Sequence, residues 1–307
     1  MTALEQRLAD YLHLRRALGF KLERAEKLLG QYLAFLEDRG EERVTVANAM
    51  DWTRLPEGAS ASWCAFRLSA VRGFAGYLHA LDSAHEIPPA DVLPRQIRRA
   101  VPYLYTDAEI TALLTGAGRL RGLLRQATYR TLFGLLAVTG MRVGEAIGLD
   151  RSDLDAGDGV LTVRDTKFGK SRLLPLHAST ITALGDYLTI RNRYQHAEVS
   201  DALLISPAGA RLIYSNVHST FRQLRDAAGL HSDTDRCRPR IHDLRHRFAV
   251  LTLLDWYRQG VDVQPLLPLL STYLGHTHPR HTFWYLTAAP ELMAIAATLL
   301  EDWEARS

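Results

Sequence analysis

Tyr285 lies nine positions after His276, the last residue of Leu274-Gly275-His276. Upstream stand His242-Asp243-Leu244-Arg245-His246 and Thr139-Gly140-Met141-Arg142. These residue types suit the breaking of a phosphodiester. A phenol is a poor nucleophile at neutral pH, because its unperturbed pKa is roughly 10. Cations around it favour the phenolate as it attacks. The phosphorus centre under attack gathers negative charge on its non-bridging oxygens. Planar guanidinium groups bind such oxygens with paired hydrogen bonds. The departing oxygen then needs a proton from a general acid. Two arginines, one or two histidines, a lysine and a tyrosine therefore suffice, with neither metal nor cofactor.

Each residue also has a plainer reading. Arg142 precedes Glu145 by three positions, and such helix pairs are common and worth about 0.2–0.5 kcal/mol. His242 and Arg245 share a face if their segment is helical. His242 and His246 are spaced as in a zinc-protease helix, but Asp243 stands where the catalytic Glu would be, and Arg245 would set a cation beside the metal. Gly275-His276 suits a helix C-cap. Tyr285 sits in Thr282-Phe283-Trp284-Tyr285-Leu286, where residue type alone suggests core packing.

The order Arg, His-x-x-Arg, Leu-Gly-His and Tyr, spread over residues 139–285, resembles the tyrosine recombinases, also called the phage-integrase family. The resemblance implies that Arg142 and Arg245 bind the scissile phosphate. It makes His242 a phosphate-contacting or proton-handling residue, His276 a second histidine on the phosphate, and Tyr285 the nucleophile. Counting back from Arg172-Leu173-Leu174-Pro175-Leu176 in the family pattern puts the general-acid lysine at Lys167, with Lys170 the competing choice and otherwise a DNA contact. His246 reads as structural, or as a bystander near the phosphate. The implied reaction is site-specific strand exchange on double-stranded DNA through a 3′-phosphotyrosyl link. It needs no cofactor, because the covalent link conserves the bond energy. Two duplexes imply a tetrameric synaptic complex, open to accessory proteins. The tail residues Leu292, Ile295, Ala296, Leu299 and Leu300 read as an amphipathic helix that docks on a neighbouring protomer or back on its own domain. Two other activities fit parts of this pattern: strand relaxation of the type IB topoisomerase kind, and sequence-specific DNA binding without cleavage. A zinc hydrolase is the third alternative.

The elements that must position these residues point to a mainly α fold with a small β-sheet, of the α+β class. The resemblance adds the two-domain, Xer-like form closed as a C-shaped clamp, with no further arm-binding domain. The chain has 307 residues, 47% apolar and 23% charged, enough for about two packed domains. Residues 1–82 read as a helical core-binding domain. Ala25, Leu28, Leu29, Tyr32, Phe35 and Leu36 have helical spacing, and Gly40 ends that run. A second helix carries Phe66, Val71, Phe74, Tyr77 and Leu78 on its apolar side, with Arg67, Arg72 and His79 opposite. Arg67 and Arg72 are DNA-contact candidates. Residues 83–105 read as an extended linker because of Pro88, Pro89, Pro94 and Pro102. Its Arg95, Arg98 and Arg99 could follow a DNA backbone. Residues 106–307 form the catalytic domain, opened by the capping box Thr106-Asp107-Ala108-Glu109. Helices follow at about 107–116 and 122–138, and a β-hairpin spans 159–176 with Lys167 and Lys170 at its tip.

The net charge is +3 and the pI about 8.9, a balance that suits a DNA partner without requiring one. Arginines crowd the region from Arg191 to Arg247, and arginine favours bidentate phosphate contacts. Cys64 and Cys237 lie far apart in no metal-type spacing, which points to free thiols and a cytoplasmic, nucleoid-associated setting. No signal sequence or membrane-length apolar run is read.

Overall fold

The structure is a computed structural model and describes residues 2–55, 57–93, 102–164, 171–194, 200–231, 237–276, 278, 280–286, 292 and 294. It divides into two compact units, Met1–Arg99 and Ala100–Ser307.

The first unit is built from α1 (Ala3–Ala17), α2 (Glu23–Asp38), α3 (Val46–Arg54) and α4 (Ala61–Leu81). Its helix starts are chemically marked. Thr2 and Thr45 form capping boxes with Glu5 and Asn48, and Ser60 caps α4. Leu28, Leu29, Tyr32 and Leu36 of α2 are buried at the expected spacing, against Leu68, Val71, Phe74 and Leu78 of α4 and Trp52 of α3.

Arg67 departs from expectation. It was read as a DNA contact on the polar side of α4, yet it is only 6% exposed. Its guanidinium lies 3.6 Å from the centroid of the Trp52 ring, and Nη2 donates to the Trp52 carbonyl at 2.6 Å. A desolvated cation over an indole is a packing interaction, so Arg67 is a structural residue. Phe66, expected inward, is instead exposed and stacks on Trp63, with Arg24 over both rings. Arg72 stays partly exposed. The start of the expected linker packs on this unit: the Val44 amide donates to Nδ1 of His85, and the Glu86 amide donates to the Val44 carbonyl. Arg95, Arg98 and Arg99 lie outside the described residues.

The second unit begins with Tyr103 and Tyr105 already packed on its core. The capping box at Thr106 opens α5 (Asp107–Ala117), followed by α6 (Leu123–Thr139) and the short α7 (Val143–Gly148). Three antiparallel strands follow, β1 (Leu154–Asp155), β2 (Val160–Val163) and β3 (Arg172–Pro175), in the order β1-β2-β3. The hairpin of β2 and β3 is the expected one, with Leu161 opposite Leu174 and Val163 opposite Arg172. The two-residue β1 was not foreseen, because so short a run leaves no alternation to read. Residues 165–170, with Lys167 and Lys170, lie outside the described residues. Then come α8 (Ala178–Arg193), α9 (Tyr214–Ala227), α10 (Asp243–Arg258), α11 (Leu267–Leu274) and α12 (Arg280–Leu286).

One core joins Leu132, Phe133 and Leu136 of α6 to the sheet, α8 and α9. A second gathers Leu253 of α10, Leu270 and Leu274 of α11, Tyr285 of α12, and Leu292. Leu292 is thus buried within its own unit, while Ile295, Ala296, Leu299 and Leu300 lie outside the described residues. Among the described residues, no helix is long and apolar enough to cross a membrane.

Candidate active site

Two helix ends and two helix starts converge on the site. Helix α6 ends at Gly140, whose φ is 60°. A Cβ there would stand 2.6 Å from Cδ1 of Phe248, so only glycine makes this turn at this distance. Two residues on, Arg142 caps the N-terminus of α7. Its backbone N–H donates to Oε2 of Glu145 at 2.9 Å, and Nη1 donates to Oε1 of the same carboxylate at 2.7 Å. Helix α11 ends at Gly275 with φ 68°, which turns the chain toward His276. Nη2 of Arg142 donates to the Gly275 carbonyl at 3.0 Å. The ion pair with Glu145 and the glycine cap are both present, and both hold the pocket together.

Arg245 lies in the first turn of α10 and is 2% exposed. Nη1 donates to the Gly140 carbonyl at 2.8 Å and Nη2 to the Leu274 carbonyl at 2.7 Å. The Tyr285 phenol lies beside its guanidinium. Burial lowers the Arg245 pKa to about 10, while the phenol favours the cation and Arg142 opposes it. The two arginines are therefore fixed by the carbonyls that end α6 and α11.

The three histidines differ. His276 shares a hydrogen bond between Nδ1 and Oγ1 of Thr282 at 2.8 Å, and its ring stacks on Tyr285 at 5.9 Å between centroids. His242 caps α10. Removal from water, then Arg245, Arg240 and Arg142, lower its pKa to about 4. Its residue still keeps an exposed surface, so water screens the effect, whose direction is toward the neutral imidazole. His246 is buried edge-on to His242, Trp284 and Tyr285. Burial, then the neighbouring His242 and arginines, push its pKa to about 3. Its Nδ1 has no hydrogen-bond partner. It packs as a buried ring against Trp284 and Tyr285. Tyr285 itself is 2% exposed.

Arg142, His242, Arg245, His276 and Tyr285, from three separated stretches, thus meet in one pocket. The base of the hairpin reaches it as well: Nε of Arg172 donates to the Tyr273 carbonyl at 2.8 Å. Sequence reasoning missed three residues here. Glu145 serves two arginines rather than one. Arg172 was read only as part of a strand. Asp243, fully buried and held by the backbone N–H and guanidinium of Arg240, braces the start of α10. A glutamate three residues after the Thr-Gly-x-Arg turn was the one available signal for the first of these.

Fold and site together fit the expected tyrosine-recombinase arrangement, with Arg142, Arg245, His276 and Tyr285 brought together in the second unit. Residues 106–291 match the phage integrase family. The protein designated integrase/recombinase y4rB of Sinorhizobium fredii (strain NBRC 101917 / NGR234) is 45% identical, with 100% of both chains covered. The tyrosine recombinase XerD of Mycobacterium leprae (strain TN) is 31% identical, with 93% of each chain covered. Among solved structures, the Tn1549 transposon integrase in complex with transposon right end DNA has the same fold, with a TM-score of 0.66 at 18% identity over 97% of this chain and 98% of that one. The XerH site-specific recombinase bound to its difH substrate gives a TM-score of 0.64 at 20% identity, over 90% of this chain and 78% of that one. The chain belongs to the phage integrase family. It is a tyrosine-type site-specific recombinase, an enzyme that breaks and rejoins DNA strands.

Proposed function

We propose that Tyr285 cuts one strand of a double-stranded recombination site and holds it as a 3′-phosphotyrosyl link. The phenolic oxygen forms a bond to phosphorus and passes its proton to neutral His242, and the bond from phosphorus to the 5′ oxygen breaks. The leaving oxygen takes a proton from the hairpin lysine, Lys167 in this reading, with Lys170 as the alternative. The 5′-hydroxyl of a partner strand then attacks the phosphotyrosine and frees Tyr285. Arg142 and Arg245 carry the charge on the non-bridging oxygens. His276 and neutral His242 orient the phosphate. Arg72, Arg95, Arg98, Arg99 and Lys170 serve the DNA backbone in this reading.

The observation that carries the reading is that Arg142 and Arg245 are both held by the carbonyls that end α6 and α11, beside Tyr285 and the His276 ring stacked on it. Tyr285 is buried without DNA, so docking must open a path to its hydroxyl. Four protomers on two duplexes complete the exchange. Solved relatives include a lambda integrase tetramer bound to a Holliday junction, which supports that stoichiometry here. Exchange of the tail helix between protomers and a role for accessory proteins belong to the same proposal, as does action in the cytoplasm on the nucleoid.

The test is a nicked suicide duplex built from DNA flanking the element that carries the gene. Wild type should give a protein–DNA adduct that survives denaturant, and Tyr285→Phe should give none. An adduct with both proteins would move the nucleophile elsewhere. Relaxation of supercoiled DNA without strand exchange would instead mark a topoisomerase.

A further inference from the structure

We propose that Arg172 is a positioning residue for cleavage, which fixes Arg142 through Glu145 and also fixes the turn that carries His276. The inference rests on the reading of Arg142 and His276 as phosphate ligands. Arg172 opens β3, and its side chain is 8% exposed. Nη1 and Nη2 donate to Oε1 and Oε2 of Glu145 at 3.2 and 2.7 Å. Nε donates to the Tyr273 carbonyl at 2.8 Å. The same Oε1 also accepts from Nη1 of Arg142, and Arg142 reaches back to the Gly275 carbonyl. These contacts close a ring: Arg172, Glu145, Arg142, then the 273–275 turn, then Arg172 again.

The two arginines of the ring are not equivalent. The Arg142 side chain is 38% exposed, so it can meet an incoming anion. Arg172 is enclosed, and its fork already spans a carboxylate and a carbonyl. A Cβ on Gly275 would stand 2.7 Å from Nη1 of Arg172, so the guanidinium lies against the backbone that leads into His276. One buried carboxylate between two cations leaves a net positive charge, which the phosphate can use. A buried ion pair of this kind fixes geometry more surely than it adds stability. Lysine keeps the charge but cannot span both Glu145 oxygens and the Tyr273 carbonyl.

The test measures single-turnover strand cleavage by Arg172→Lys and Glu145→Gln, each alone and combined. Each protein is given a nicked duplex with either the natural phosphodiester or an uncharged methylphosphonate at the cleavage position. The neutral centre asks less of Arg142, and Arg142→Ala is the benchmark. On the phosphodiester, Arg172→Lys should cleave about 10–100-fold more slowly, as a misplaced catalytic group does, while DNA binding is retained. On the methylphosphonate its deficit should shrink, as that of Arg142→Ala does. The double variant should lose no more than the worse single, because both act through one contact. Equal deficits on the two substrates, or additive losses, would overturn the inference. If Arg172→Lys does not fold, Glu145→Gln alone carries the same comparison. Wild-type cleavage by Arg142→Ala would defeat the parent reading instead, a failure visible in the benchmark alone.

Discussion

Burial lowers the pKa of Arg245 to about 10, yet the guanidinium stays charged at neutral pH, with the Tyr285 phenol favouring the cation. A cation already desolvated and held by two carbonyls needs little reorganisation when charge develops on the phosphate. Arg245→Lys should therefore keep DNA binding and lose about 10²–10³-fold in single-turnover cleavage, read from adduct formation against time. His246 makes a prediction about pH. Its folded pKa is about 3, below the ordinary 6.5. The unfolded chain therefore takes up the proton first as pH falls. The stabilising effect of the neutral ring is complete above pH 6.5 and is lost as pH drops toward 3. The loss is up to about 1.4 kcal/mol per pH unit. Urea unfolding at pH 7 and pH 5 should show a steeper loss for wild type than for His246→Phe. The residues proposed to touch the phosphate could be named from the sequence, because their types and spacing suit that chemistry. Arg172 and Glu145 were not. They meet across 27 positions, and a contact between a strand and a helix leaves no local period. Arg67 was misread for the same reason: its partner Trp52 belongs to another helix, so a buried cation looked like a solvated one.

At the scale of elements, the site depends on where α6 and α11 stop. Gly140 and Gly275 adopt left-handed backbone and offer their carbonyls, or that of the residue before, to the arginines. Gly140→Ala adds strain of about 1–2 kcal/mol for the backbone alone. It also forces the new methyl into Phe248. The expected result is a second unit destabilised by a few kcal/mol, roughly as overpacked cores are, and a cleavage loss larger than the stability loss explains. Thermal unfolding and cleavage at a permissive temperature would separate the two. An active, fully stable Gly140→Ala protein would show that this turn does not set the pocket. Helix starts and the hairpin were readable because capping boxes, glycine stops and β-prone runs act locally. The strand β1 was not, since two residues carry no pattern of their own.

At the scale of the molecule, each unit has its own core, one in Met1–Arg99 and two clusters in Ala100–Ser307. A fragment of residues 102–307 holds Arg142, His242, Arg245, His276 and Tyr285, and should fold cooperatively by itself. It should still form the covalent adduct at high DNA concentration, but with weaker binding and a shallower dependence on salt, because fewer phosphates are neutralised. Competition binding at two or three salt concentrations checks this, and a slope equal to that of the whole chain would deny the first unit any backbone contact. The central claim is that Tyr285 carries the DNA. Its most direct test is digestion of the trapped adduct with protease and nuclease, followed by mass spectrometry of the modified peptide. A nucleotide 3′-phosphate on Tyr285 is the expected result. The same mass on Tyr273 or on any other residue would contradict it.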